Sequence, residues 1–376
     1  MRSARQPKSG EQPIQRETPE AVRPPERTGR SAVTILEIAQ HLNVSHSTVS
    51  RVLNNKPHTY ISDETRRRVE AAARAMGYRP NLAARSLRDA RSNMVGIFAA
   101  PNMGIWSGPA VNISEGLTEV LHERQMHLFF ALVTADDDER SLPAWRFDGA
   151  VLLQQPSEAS IRHLLTADRP FVAVNEQVEH GVSVLVDEAG GVRLAMEHLW
   201  ELGHRRIAYA NASQWHYPHY SVSERQEAYL QYAVDLGIAP DINREYTPPP
   251  PPPGTARYSD QLIPWLRETI LAGTTAILAY DHMIAVDILV AAQQLLLRIP
   301  QDFSLICFNK EIITEQLQFT VIASQGVEMG RVAAKVLLQR MDAEEGALLT
   351  PNSSVPSIIR VPQELIPRAS TAPPRR

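Results

Sequence analysis

The side chains able to do chemistry in this chain are few and grouped. His46, Ser47, Ser50 and Arg51 recur at the spacing of one helical face while Val49, Val52 and Leu53 fall on the other, so the polar groups point outward or sideways. Trp215, His216, Tyr217, His219 and Tyr220 form a dense aromatic and imidazole cluster. Two histidines three apart hold a metal only with a third ligand; with Pro218 between them and no such ligand, the cluster reads as a π-rich wall. Cys307 is the one cysteine and lies in an apolar run, which excludes an intrachain disulfide and a multi-cysteine zinc site and assigns the thiol to inert packing. Glycine-rich phosphate loops, a nucleophile elbow and strong metal motifs are all lacking, so neither an enzyme nor a cofactor is expected.

Charge separates these groups into two territories. Residues 1–91 hold 17 basic and 9 acidic side chains, whereas residues 92–376 hold 21 and 33, so a head of +8 precedes a body of −12. A basic head points to a polyanionic partner that the body does not share. With 376 residues, 43% of them hydrophobic and 21% charged, the chain is long enough for two or three globular domains. The polar, proline-rich start and the lack of any run of about 18 apolar residues make secretion and membrane insertion unexpected.

The elements that position these groups follow from periodicity. Residues 1–31 carry almost no large apolar side chains and are expected to be a disordered tail. Thr34 and Glu37 have capping-box spacing ahead of Ile35, Ile38, Ala39 and Leu42; Asn43 falls where the chain turns, Ser45 caps a second helix, and Ser62 caps a third with Asp63 and Glu64 in its first turn. Two short helices with a tight turn, the second presenting hydrogen-bonding groups early, describe a helix-turn-helix. From Met94 onward short apolar runs alternate with amphipathic stretches. Strands are expected at Val95–Ala99, His127–Val133, Gly149–Leu153, Phe171–Val174, Arg206–Ala210, Ala276–Ala279 and Ser304–Phe308. Helices are expected at Val111–Glu123, Ala189–Leu202, Ser223–Leu236, Met283–Leu297 and Val327–Arg340. That many strands exceed one comfortable sheet and favour two α/β lobes with a ligand between them. Pro248 to Pro253 is an uninterrupted proline run, a stiff polyproline II spacer or a docking segment for an SH3-type partner.

The head, from Val33-Thr34-Ile35 through Thr48-Val49-Ser50-Arg51-Val52-Leu53-Asn54 to Gly77-Tyr78-Arg79-Pro80-Asn81 and Ala84-Arg85-Ser86-Leu87-Arg88, resembles the LacI/GalR family of bacterial transcriptional regulators. It departs from the family in a longer segment from Asn55 to Ile61 and in Asn43, where glycine is common. The resemblance implies that His46, Ser47 and Arg51 meet base edges in the major groove, with Ser50 also among the DNA-binding residues, and Arg can pair bidentately with guanine. It further implies that Thr34, Asn54 and Thr65 hold phosphates, and that Asn81 to Leu87 form a hinge helix with Ala84 at a close helix approach and Leu87 as a minor-groove wedge.

The body resembles the family more loosely, through Phe147-Asp148-Gly149, Val186-Asp187, Glu197-His198-Leu199 and Leu202-Gly203-His204-Arg205-Arg206-Ile207-Ala208. This implies an architecture of helix-turn-helix head (32–79), hinge and linker (80–92) and a two-lobed periplasmic-binding-protein-like α/β body (93–376). Lobe one is placed at about 93–188 and 322–352, and lobe two at about 189–321 and 353–376. The resemblance places Asn102, Trp106, Arg225, Tyr280, Asp281 and Asn309 around an effector cleft. Trp106 either stacks on a ligand or packs the lobe edge, and Asp281 either binds or caps a helix. Asn309 stands where the family has an Asp, which would leave Arg225 short of a counter-charge and favour an anionic or ringed effector over a plain neutral hexose. The run Asp136 to Glu139 resembles the family's acidic turn and is followed by too few residues for the usual helix. The expected protein is a cytoplasmic, nucleoid-associated dimeric repressor that binds double-stranded operator DNA, with a sugar-like or anionic small-molecule effector and no membrane partner. The alternative is an effector-independent regulator with a degenerate cleft.

Overall fold

A computed structural model of the protein describes residues 33–53, 61–79, 91–99, 108–133, 147–153, 158–167, 169–179, 181–211, 219–238, 245–246, 259–342 and 357–375. The chain divides into two compact units, Met1–Asn81 and Leu82–Arg376.

In the first unit, helix α1 (Ile35–Leu42) opens on the expected capping box: Glu37 N donates to Thr34 Oγ1 at 3.3 Å and Thr34 N to Glu37 Oε2 at 2.6 Å. It ends at Asn43, whose φ of 52° is the left-handed conformation that asparagine tolerates. Helix α2 (His46–Leu53) starts on Ser45, whose hydroxyl accepts from Thr48 N at 3.0 Å, and α3 (Asp63–Ala75) starts on Ser62. Ile38, Ala39, Val49, Val52, Val69, Ala72 and Ala73 close a small core among the three. Burial of each large aliphatic side chain is worth about 1.5–3 kcal/mol, enough to hold short helices that would not persist alone.

The second unit is built on two sheets. Lobe one carries β1 (Met94–Ala99), β2 (His127–Leu132), β3 (Gly149–Leu153), β4 (Phe171–Val174) and β5 (Val182–Val186), with helices α4 (Gly108–Glu123) and α5 (Glu158–Thr166). Lobe two holds α6 (Glu188–Glu201), β6 (Ile207–Ala210), α7 (Tyr220–Asp235), β7 (Glu245–Tyr246), α8 (Ser259–Leu271), β8 (Ala276–Ala279), α9 (His282–Gln294), β9 (Ser304–Phe308), α10 (Ile312–Gln316) and β10 (Thr320–Ser324). The chain then returns to lobe one for α11 (Gly326–Asp342) and β11 (Ile358–Val361) before ending in lobe two with β12 (Gln363–Ile366). The sheet orders are β11-β5-β4-β3-β1-β2 and β12-β10-β9-β8-β6-β7. Every recorded pairing is parallel except β10 with β12. Apolar strands such as Gly149–Leu153 are buried along their whole length because helices cover both faces.

The seven expected strands are present, with ends within a residue of those read from the sequence. The lobe boundaries need correction. The second crossing lies at Gln325, so all of β10 belongs to lobe two, and the third lies at Pro362, because β11 hydrogen-bonds to β5 in lobe one. Each crossing leaves the carboxyl end of a strand, β5, β10 or β11. The carboxyl edges of the two parallel sheets therefore face one another, which is where open α/β sheets take their ligands. The tail, the proline run, the acidic turn with the segment after it, and the proposed hinge lie outside the described residues.

Candidate nucleic-acid interface and inter-lobe cleft

On α2 the buried pair Val49 and Val52 turns the opposite face outward, leaving His46, Ser47 and Arg51 exposed and Ser50 half-buried. Ser45 Oγ lies 2.8 Å from both Ser47 Oγ and Thr48 Oγ1, so the start of the helix carries a linked set of hydroxyls. Guanidinium, imidazole and hydroxyl groups on one short exposed helix can satisfy donors and acceptors on base edges. Thr34 is exposed with its hydroxyl in the capping box, and Thr65 is half-buried at the start of α3. Asn54, Asn81, Ala84 and Leu87 lie outside the described residues.

The surroundings of Arg225 differ from expectation. Arg225 is 4% exposed, and its charge is taken from within the chain: Nε donates to Glu188 Oε2 at 2.6 Å and an Nη to Glu188 Oε1 at 3.1 Å, while the other Nη donates to the Tyr280 carbonyl at 2.6 Å. Its guanidinium carbon also lies 4.7 Å from the Tyr280 ring centroid and 4.0 Å from that of Phe308. Burial works against the charge, but the Glu188 carboxylate together with the Tyr280 and Tyr209 side chains holds the arginine's pKa above its ordinary value. The expectation that Arg225 lacks a counter-charge is therefore wrong, and the argument drawn from it for an anionic effector loses its premise. A guanidinium taken out of water requires a partner, and Glu188, itself 1% exposed, supplies one from the first turn of α6.

The remaining expected cleft residues divide. Asp281 caps α9, accepting from Ile284 N at 2.9 Å. The Tyr280 hydroxyl is 2.7 Å from Ser221 Oγ, and burial raises its pKa. Asn309 directly follows β9 at φ 71°, with its backbone N–H donating to the Ile322 carbonyl at 3.0 Å, and is half-buried. Asn102, Trp106 and the cluster members Trp215, His216 and Tyr217 lie outside the described residues. His219 and Tyr220 serve as lobe contacts. His219 Nε2 donates to the Asn175 carbonyl at 2.9 Å while Nδ1 meets Ser221 Oγ at 2.7 Å, so both ring nitrogens are occupied; burial lowers its pKa. The Tyr220 hydroxyl donates to Asn175 Oδ1 at 3.2 Å and accepts from Val186 N at 3.1 Å. Arg360 adds a two-pronged bond to Glu224 at 2.8 and 2.7 Å, so the start of α7 grips lobe one through three residues. Cys307 is fully buried in β9 and its pKa is raised by burial, in keeping with inert packing.

Glu188, Asn175, Glu224 and Arg360 were not singled out from sequence. Nothing local marks them, since each pairs with a residue at least 37 positions away. Among the described residues no cluster of side chains is arranged to hold a metal ion, and no helix is long and apolar enough to cross a membrane.

Comparison with known proteins gives this arrangement its relatives. Residues 34–81 match the family model of bacterial regulatory proteins, lacI family, and residues 196–371 match a periplasmic binding protein-like domain. The chain is 27% identical over 285 residues to the probable HTH-type transcriptional repressor ExuR of Bacillus subtilis (strain 168), covering 74% of this chain and 81% of that one. It is 26% identical over 330 residues to the probable HTH-type transcriptional regulator EndR of Paenibacillus polymyxa, covering 83% and 92%. Among solved structures, the lac repressor dimer bound to operator and the anti-inducer ONPF matches with a TM-score of 0.73 at 21% identity, covering 91% of this chain and all of that one. The transcriptional regulator CelR–cellobiose complex matches at 0.59 and 23%, covering 90% and 100%. Such identities establish the fold, and the curated relatives are regulators, not enzymes. The chain thus joins a helix-turn-helix like that of the lacI family to a periplasmic-binding-protein-like domain, and the curated relatives that share most of its length are transcriptional regulators.

Proposed function

We propose that the protein is a cytoplasmic, nucleoid-associated repressor that binds a near-palindromic operator as a homodimer and responds to a small molecule held between its lobes. The observation that carries this reading is the exposed polar face of α2, with His46, Ser47 and Arg51 held outward by Val49 and Val52. A helix-turn-helix reads one half-site, and a two-fold dimer presents two copies to a symmetric site. Phe130 and Leu132, exposed on the edge strand β2, support a dimer, because apolar groups on an open sheet edge invite a partner. Operator and dimer are named for the lac repressor structure, and cellobiose and ribose as ligands of two other structural relatives.

A competition gel shift against random duplex tests this. Wild type is expected to bind specifically with a steep salt dependence, and Arg51→Ala is expected to lose about 1–3 kcal/mol and relax preference at one base position per half-site. Binding of wild type without sequence preference would rule the reading out. An effector-independent regulator is the second reading, favoured by the saturation of Arg225 from within the chain. Thermal shifts with a panel of neutral sugars separate the two.

A further inference from the structure

The pair of Arg225 and Glu188 has a consequence for what the cleft admits. Arg225 belongs to α7, whose start grips lobe one, and it reaches the carbonyl of Tyr280 at the carboxyl end of β8. Three of its five N–H groups are accounted for, two by the Glu188 carboxylate and one by that carbonyl, and its plane lies over the Tyr280 and Phe308 rings. Two oxygens held side-on by a guanidinium are what an external carboxylate or phosphate would supply. Glu188 reaches this position because it opens α6 directly after the first lobe crossing.

Two further cations of the body also have carboxylate partners, though more exposed ones. Arg360 is held by both oxygens of Glu224, and Lys310, next to Asn309, lies 3.5 Å from Glu315. To take the two side-on N–H groups of Arg225, an anion entering between the facing edges would have to displace the Glu188 carboxylate and leave it buried and unpaired.

We infer that Glu188 is a built-in counter-ligand that closes Arg225 to external anions, and so selects against carboxylate- and phosphate-bearing effectors in the cleft. This rests on the reading of the cleft as an effector site and defines the chemistry that site accepts. Recognition then falls to neutral hydrogen-bonding groups such as Asn309, and an effector of this protein carries hydroxyls rather than charge where it faces α7.

Carboxylate rescue followed by thermal melting tests the inference. Full-length wild type, Glu188→Ala and the double variant Glu188→Ala with Arg225→Met are melted in rising potassium acetate against potassium chloride of equal ionic strength. Wild type is expected to melt alike in both salts. Glu188→Ala is expected to gain a saturable rise of about 2 °C or more in acetate, as a small anion occupies the emptied place, and the double variant to gain none. Glucuronate set against glucose extends the wild-type arm to effector-sized probes. A saturable stabilisation of wild type by acetate or glucuronate that Arg225→Met abolishes would overturn the inference, as would a folded Glu188→Ala that ignores acetate. If Glu188→Ala does not fold, Glu188→Gln takes its place in the same titration. If neither folds, replacing Glu188 and Arg225 together by Met should restore folding, and failure to do so counts against Glu188 serving Arg225. Melting needs no DNA, so loss of operator binding would strike the regulator reading and leave this result standing.

Discussion

Arg225 shows how far the meaning of a residue depends on its partner. With Glu188 on it, the pair is a buried strut, and breaking it by Glu188→Ala is expected to cost about 3–5 kcal/mol in chemical denaturation without added carboxylate, because a charge is left alone in the interior. The exposed pair Arg193–Glu197 is the contrast, and Glu197→Ala should change stability by about 1 kcal/mol at most. The histidines give a second prediction. His198, His204 and His219 all have pKa values lowered by burial. His204 is pinned at both nitrogens, 2.9 Å from Thr275 Oγ1 on one side and 3.0 and 2.9 Å from Ser304 Oγ and the Ala372 carbonyl on the other. The unfolded chain takes up protons first as the pH falls, so stability is complete above the unfolded value of about 6.5 and is lost as the pH drops from there through the folded-state values. The melting temperature should decline on acidification across that range, and His204→Gln should flatten the decline; a flat profile in wild type would contradict this.

At the scale of elements, lobe one depends on two glycines where α4 crosses α11. A Cβ on Gly116 would stand 1.9 Å from the Val327 carbonyl oxygen, and one on Gly330 would stand 2.1 Å from that of Ile113. Backbone cannot swing aside as a side chain can, so the helices must separate and the apolar groups between them, Ile113, Leu117 and Met329, lose contact. Gly116→Ala is expected to destabilise by at least the 1–3 kcal/mol typical of overpacking, read as a lower urea midpoint with an unchanged slope. Periodicity showed both helices, but nothing in it required these glycines to meet. Other elements were hidden for identifiable reasons. Helix α8 contains Pro264, which breaks a helical pattern on paper, and β11 and β12 are four residues each, defined by the distant strands they pair with.

For the whole molecule, the proposed repressor joins a head that reads half-sites to a body whose lobes are clasped at the start of α7. If residues 81–87 form the hinge, Leu87→Ala should leave fold and dimer intact while weakening specific binding and reducing the operator bend, because the wedge that stabilises a kinked base step is gone. A circular-permutation assay reads the bend directly, and an unchanged bend would remove the hinge from the mechanism.

The sequence alone determined the parts whose causes are local. The capping box at Thr34 and Glu37, the left-handed turn at Asn43, the outward face of α2 and the seven expected strands follow from spacings within a few residues, because helix and strand periodicity and capping act over one or two turns. The charge division between head and body was equally legible, since it needs only counting. Tertiary structure alone decided the cleft. Glu188 meets Arg225 across 37 positions because α6 packs on α7 within lobe two, whereas Asn175 receives His219 and Tyr220, and Arg360 reaches Glu224 across 136, because the chain crosses between the lobes and lays distant segments side by side. Whether an arginine is free to hold a ligand depends on what burial places beside it, and that neighbour is set by the packing of one helix on another, which no spacing along the chain encodes.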